Sequence, residues 1–73
     1  MVLSVRKVLE AVDELQEASL ELVCWELNVR DDEARPAFER AIAEGLLARR
    51  RVDELHDEVM YALTDAGRRT LAG

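Results

Sequence analysis

Gly45-Leu46-Leu47-Ala48-Arg49-Arg50-Arg51-Val52, then Asp53-Glu54-Leu55-His56-Asp57, then Glu58-Val59-Met60-Tyr61-Ala62-Leu63-Thr64-Asp65-Ala66-Gly67 and Leu71: this stretch decides the fold. Two alternating runs, Leu47 to Val52 and Glu58 to Leu63, flank a polar gap, which predicts a β-hairpin with a five-residue loop, Asp53 to Asp57. Thr64 is a good N-cap and predicts a short closing helix that carries Leu71. Gly45 marks the end of the helix before the hairpin, where a left-handed residue closes the last turn.

Upstream, the pattern is helical. Val5, Val8, Leu9, Val12 and Leu15 follow Ser4 at three- and four-residue steps and predict a helix from Ser4 to Glu17. Ser19 caps a second, short helix with Leu20, Val23, Cys24 and Leu27 on one face, and Asn28 is suited to end it in a left-handed turn. A third helix starts between Asp31 and Pro36 and ends at Gly45, with Ala34, Phe38, Ala41 and Ile42 inward. Pro36 lacks an N–H and disfavours a helical Arg35, so a start near Glu33, with proline inside the first turn, costs least. No linker, repeat or low-complexity segment interrupts residues 1–73, which predicts a single domain, mainly α with a small β-ribbon.

Seventy-three residues leave little room for an enzyme cleft, and one apolar core of this size supplies only about 3–5 kcal/mol of net stability. The single Cys24 cannot form an internal disulfide, and no zinc pattern of paired cysteines and histidines occurs. No signal peptide and no apolar run of membrane-spanning length is read in the sequence, so the expectation is a soluble protein in a reducing cytoplasm. Arginine dominates over the lone Lys7 and alanine is abundant, a usage common in GC-rich bacterial genomes. The net charge of −6 weighs against nonspecific nucleic-acid binding, but its distribution is uneven. Residues 1–28 carry two basic and six acidic side chains, residues 29–48 three and five, and residues 49–73 five of each. Because exposed charges are screened over about 8 Å, a locally basic surface can work on an acidic domain.

The segment Val23-Cys24-Trp25-Glu26-Leu27-Asn28-Val29, with Ala34, Phe38 and Ala41 after it, Gly45-Leu46-Leu47 at the exit and Tyr61-Ala62-Leu63-Thr64-Asp65-Ala66-Gly67 to Leu71 at the close, resembles the winged helix-turn-helix superfamily. The likeness covers residues 18–71 and is of the kind seen in MarR- and PadR-like bacterial regulators. It implies three helices, a two-stranded antiparallel wing and a short C-terminal helix. It also implies that helix three reads the major groove of double-stranded DNA while the wing follows the backbone. By that resemblance the candidate DNA contacts are Arg30, Arg35, Glu39 and Arg40 on helix three and Arg49, Arg50 and Arg51 on the ribbon.

The residues themselves leave two readings open. Asp31, Asp32 and Glu33 stand where a recognition helix approaches phosphate, and they equally suit a helix N-terminus. Arg35 is spaced to pair with Asp31 or Glu39, and Arg40 with Glu44, so these cations either meet DNA or balance their neighbours. Strand alternation sends Arg49 and Arg51 to one face, opposite Tyr61 and Val59, and Arg50 to the other.

Leu22 and Trp25 add an apolar stripe where polar residues are usual, and something should cover it. The expectation is that residues 1–3 or Met60 pack there; the alternative is an anchor for a protein partner or a second copy of the chain. Cys24 reads as a buried, inert thiol at a helix contact, and His56 among Asp53, Glu54, Asp57 and Glu58 as a charged turn rather than a metal site. No catalytic set or phosphate-binding glycine loop can be assembled, so neither an enzymatic role nor a cofactor or metal is expected. The two function readings are a DNA-binding transcriptional regulator and an acidic winged-helix adaptor that docks a protein through Leu22 and Trp25 or its acidic surface.

Overall fold

A computed structural model describes residues 3–73. The order is α1 (Val5–Leu15), α2 (Leu20–Leu27), α3 (Asp31–Ala43), β1 (Leu47–Asp53), β2 (Glu58–Leu63) and α4 (Asp65–Ala72). Ser4, Ser19 and Thr64 each accept an N–H from the first turn of their helices, as their side chains predict. Helix α1 stops at Leu15, short of the expected Glu17, because Gln16 turns to φ 73° and swings the chain away. The Gln16 side-chain amide donates to the Asp13 carbonyl at 3.1 Å and helps satisfy that helix end.

Helices α2 and α3 end alike. Asn28, at φ 56°, donates to Trp25, and Val29 donates back to Cys24 at 3.0 Å. Gly45, at φ 75°, donates to Ile42 at 3.0 Å, and Leu46 to Ala41 at 2.9 Å. Both are reciprocal pairs that use the last carbonyls and turn the chain sharply into the next element.

Helix α3 begins at Asp31, earlier than the least costly start, and so encloses Pro36 in its second turn. Proline there removes the bond to the Asp32 carbonyl. The gain is at the front: the Arg30 N–H reaches the Glu33 carboxylate at 3.1 Å, and three acidic residues meet the positive end of the helix. Only this half of a capping box forms, since an arginine side chain has no acceptor.

The core gathers Val8, Leu9 and Val12 of α1, Val23 of α2, Phe38 and Ala41 of α3, and Leu46, Leu47 and Leu63 around the ribbon. Tyr61 meets Phe38 edge to face at 5.2 Å and also pairs through its backbone with Ala18, two bonds of 2.8 Å. Strand β2 thus lies between β1 and the α1–α2 connection. The Thr64 hydroxyl donates to the Gly45 carbonyl at 2.6 Å and accepts the Gly67 N–H at 3.0 Å, tying the start of α4 to the end of α3. Gly67 is buried there, and a Cβ on it would stand 2.3 Å from the Leu46 carbonyl oxygen. No helix among the described residues is long and apolar enough to cross a membrane.

Candidate nucleic-acid interface

Each cation of α3 has an acidic neighbour. Arg35 holds both oxygens of Asp31, at 2.9 and 2.8 Å, and has Glu39 3.9 Å away. Arg40 bonds Glu44 at 2.8 Å, and Arg30 lies 3.8 Å from Glu33 and 4.0 Å from Asp32. These hydrogen bonds raise the pKa of both Arg35 and Arg40 above the usual guanidinium value. The pairs are all exposed, where such contacts contribute about 0–1 kcal/mol, so a phosphate or base edge can displace them at modest cost.

The ribbon departs from simple alternation. Leu47 faces Leu63, Ala48 faces Ala62 and Arg49 faces Tyr61, but Arg51 faces Met60, Val52 faces Val59 and Asp53 faces Glu58. Arg50 is the extra residue of a β-bulge, so the expected pairing of Arg51 with Val59 is shifted by one. Because Tyr61 and Met60 point to opposite faces of β2, Arg49 and Arg51 are also on opposite faces rather than the same one. The loop shortens to four residues, Glu54 to Asp57, since Asp53 joins the ladder.

Arg51 is occupied by Glu17 at 2.6 Å, across from the α1–α2 connection, and stands opposite Met60, which is buried outside the main core. Arg49 and Arg50 are exposed and have no carboxylate within 4.0 Å among the described residues. Of the candidate arginines, these two alone lack an acidic partner among the described residues. Between α2, α3 and the ribbon runs an open groove of about 390 Å³ with Glu21, Asp31, Glu39, Asp57 and Glu58 on its walls against Arg35 alone. That groove repels an anion.

Trp25 is 83% exposed and Leu22 36%, so the expectation that Met60 covers them fails, although Met60 is itself buried. Leu3 packs against the core, and residues 1 and 2 lie outside the described residues. Cys24 is half-buried rather than buried; Val23 takes the interior place. Partial burial and the nearby Asp31 push its thiol pKa up, which leaves it mostly protonated and unreactive at neutral pH.

Sequence reading missed three contacts that position the site. They are the Ala18–Tyr61 pairing, the Arg51–Glu17 bond, and Arg6, which donates to the Thr70 and Leu71 carbonyls and closes the end of α4. All three join residues more than thirty positions apart, where local periodicity carries no signal.

Compared with solved structures, this arrangement superposes on BpsR of Bordetella bronchiseptica, whose DNA binding is regulated by 6-hydroxynicotinic acid, with TM-score 0.78, 28% identity and 93% of the chain covered. The fold is a winged helix-turn-helix. The reduced form of MarR from E. coli gives TM-score 0.81 at 18% identity, and the transcriptional regulator BldR from Sulfolobus solfataricus 0.78 at 24%, each over 93% of the winged-helix chain. It spans about half of these proteins, 48%, 50% and 48% of BpsR, MarR and BldR. No protein-family model matches the sequence, and no curated protein is significantly similar to it.

Proposed function

We propose that this winged helix is the DNA-binding part of a transcriptional regulator, with α3 in the major groove and the wing on the backbone. The observation that carries this reading is the match to BpsR, a protein with regulated DNA binding, over 93% of the chain. The charge layout gives it a particular form. Arg49 and Arg50 have no acidic partner to surrender and make the first phosphate contacts; Arg35 and Arg40 then exchange Asp31 and Glu44 for the duplex, with Glu39 and Arg30 at its edge. A salt titration against duplex DNA tests this. Arg49→Ala with Arg50→Ala is expected to reduce the slope of log K against log salt by about 2, whereas Arg51→Ala changes it less. Absence of any DNA affinity at low salt would reject the reading.

A second reading rests on Trp25, whose ring is almost wholly in solvent. In that reading the domain is an adaptor that seats Trp25 and Leu22 in a partner's pocket, with the acidic groove beside them. Trp25→Ala then abolishes partner recovery while unfolding stays within about 0.5 kcal/mol of the parent, because an exposed side chain adds little to the core. Retained partner binding by a folded Trp25→Ala variant excludes it.

A further inference from the structure

We propose that the outer face of α2 docks a partner protein through a basic segment that carries arginine beside an aliphatic side chain. This names the partner chemistry for the adaptor reading above and rests on it. Leu22 and Trp25, three positions apart, share one face of the helix, and Trp25 is 83% exposed. Glu21 lies four positions before Trp25 and Glu26 four after Leu22, so a carboxylate borders the apolar pair on each side. Both acids are exposed and have no basic partner within 4.0 Å among the described residues.

The charge around this pair selects its occupant. Residues 8–29 hold six carboxylates and no lysine or arginine. Glu10 finds Arg6 and Lys7, and Glu17 finds Arg51, so α2 keeps its own two acids unneutralised. At Glu21 the negative surface runs on into the groove between α2, α3 and the ribbon, which gives a chain lying over Trp25 a concavity to continue into. An indole bordered by carboxylates suits a guanidinium, which stacks on the ring and donates to the acids while shedding less tightly held water than an ammonium does. Leu22 adds apolar area for the aliphatic neighbour. Nucleic acid and anionic lipid are repelled from this face, and a second copy of the chain, itself at net charge −6, is disfavoured for the same reason.

Trp25 is the only tryptophan, so its fluorescence reports on this face directly. The probe is a synthetic peptide alternating arginine with leucine, titrated into the 73-residue chain at low and physiological salt. The expected result is a blue-shifted emission that saturates at one peptide per chain. By calorimetry, Trp25→Ala weakens binding at least tenfold, and Glu21→Gln with Glu26→Gln weakens it about threefold with a shallower salt dependence. All three positions are at the surface, and circular dichroism establishes that each variant is folded. Equal binding of a peptide with glutamate in place of arginine, or unchanged affinity in the glutamine variant, overturns the basic partner and leaves the adaptor reading standing. Unchanged affinity in folded Trp25→Ala overturns both. Equal binding of a peptide with serine in place of leucine, or failure to saturate at millimolar peptide, overturns the proposal as unspecific charge attraction. An emission that shifts with protein concentration alone overturns it in favour of a second copy of the chain.

Discussion

Gly67 and Gly45 are both glycines for different reasons, and substitution separates them. At Gly67 a methyl group meets the Leu46 backbone carbonyl at 2.3 Å, which cannot retreat without moving the α3–β1 turn, and the Leu63 side chain at 3.2 Å. Gly67→Ala is expected to cost about 2–3 kcal/mol in urea unfolding. At Gly45 there is open space but φ is 75°, so Gly45→Ala costs about 1 kcal/mol, the ordinary penalty of a left-handed alanine. An equal loss at both sites would mean that packing at α4 is looser than the structure shows. Residues of this kind were partly legible in the sequence: Asn28, Gly45 and Thr64 are specified by backbone chemistry within a few positions, whereas Gly67 is required by the Leu46 carbonyl twenty-one positions away. Gln16 was not, because a glutamine at positive φ is held there by the distant Ala18–Tyr61 pairing.

Among the elements, α3 carries the main conflict between local preference and fold. Pro36 sits in its second turn, exposed, where it forfeits the bond to the Asp32 carbonyl. Pro36→Ala restores the donor and is expected to raise stability by about 1–3 kcal/mol, measured as an upward shift of the urea midpoint with unchanged slope. A loss of stability would show that the helix has adapted its course to the ring. The ribbon shows where sequence reading stops. Alternation found both strands and the Arg49–Tyr61 register, but the bulge at Arg50 has no local mark, and one extra residue re-aims every side chain beyond it. The arginine–acid pairs of α3 were legible because they are four residues apart; the Arg51–Glu17 bond, across thirty-four positions, was not.

For the whole molecule, charge sets the pH response. A hydrogen bond to Asp53 raises the His56 pKa, and the same bond lowers that of Asp53. His56 therefore adds stability that is fully present below about pH 6.5 and is lost as pH rises through its elevated folded value. Asp53 adds stability above about pH 3.9 that is lost as pH falls through its lowered value. Glu21 works in the other direction, since its raised pKa means that ionisation beside Glu58 is disfavoured and costs more as pH climbs past the carboxylate range. The wing is therefore expected to be better ordered in mildly acid solution, where His56 is charged and Asp53 ionised, than in alkaline solution. Proton NMR of His56 checks it, with a titration midpoint that falls in Asp53→Asn; an unmoved midpoint would remove the Asp53 contact as the cause. Of this behaviour the sequence showed only the acidic turn, because Glu21 and Glu58 are brought together by the packing of α2 beside the wing.

The position of β2 between β1 and Ala18 leaves β1 as the open edge of the sheet. An unpaired strand edge is a template on which another chain can add, and charges and bulges are the usual guards against it. Arg49, Arg50 and Arg51, with the bulge among them, fill that place and guard the edge against a second copy of the protein. A variant stripped of all three arginines is expected to self-associate, and its loss of any ligand has to be judged on the fraction that remains monodisperse.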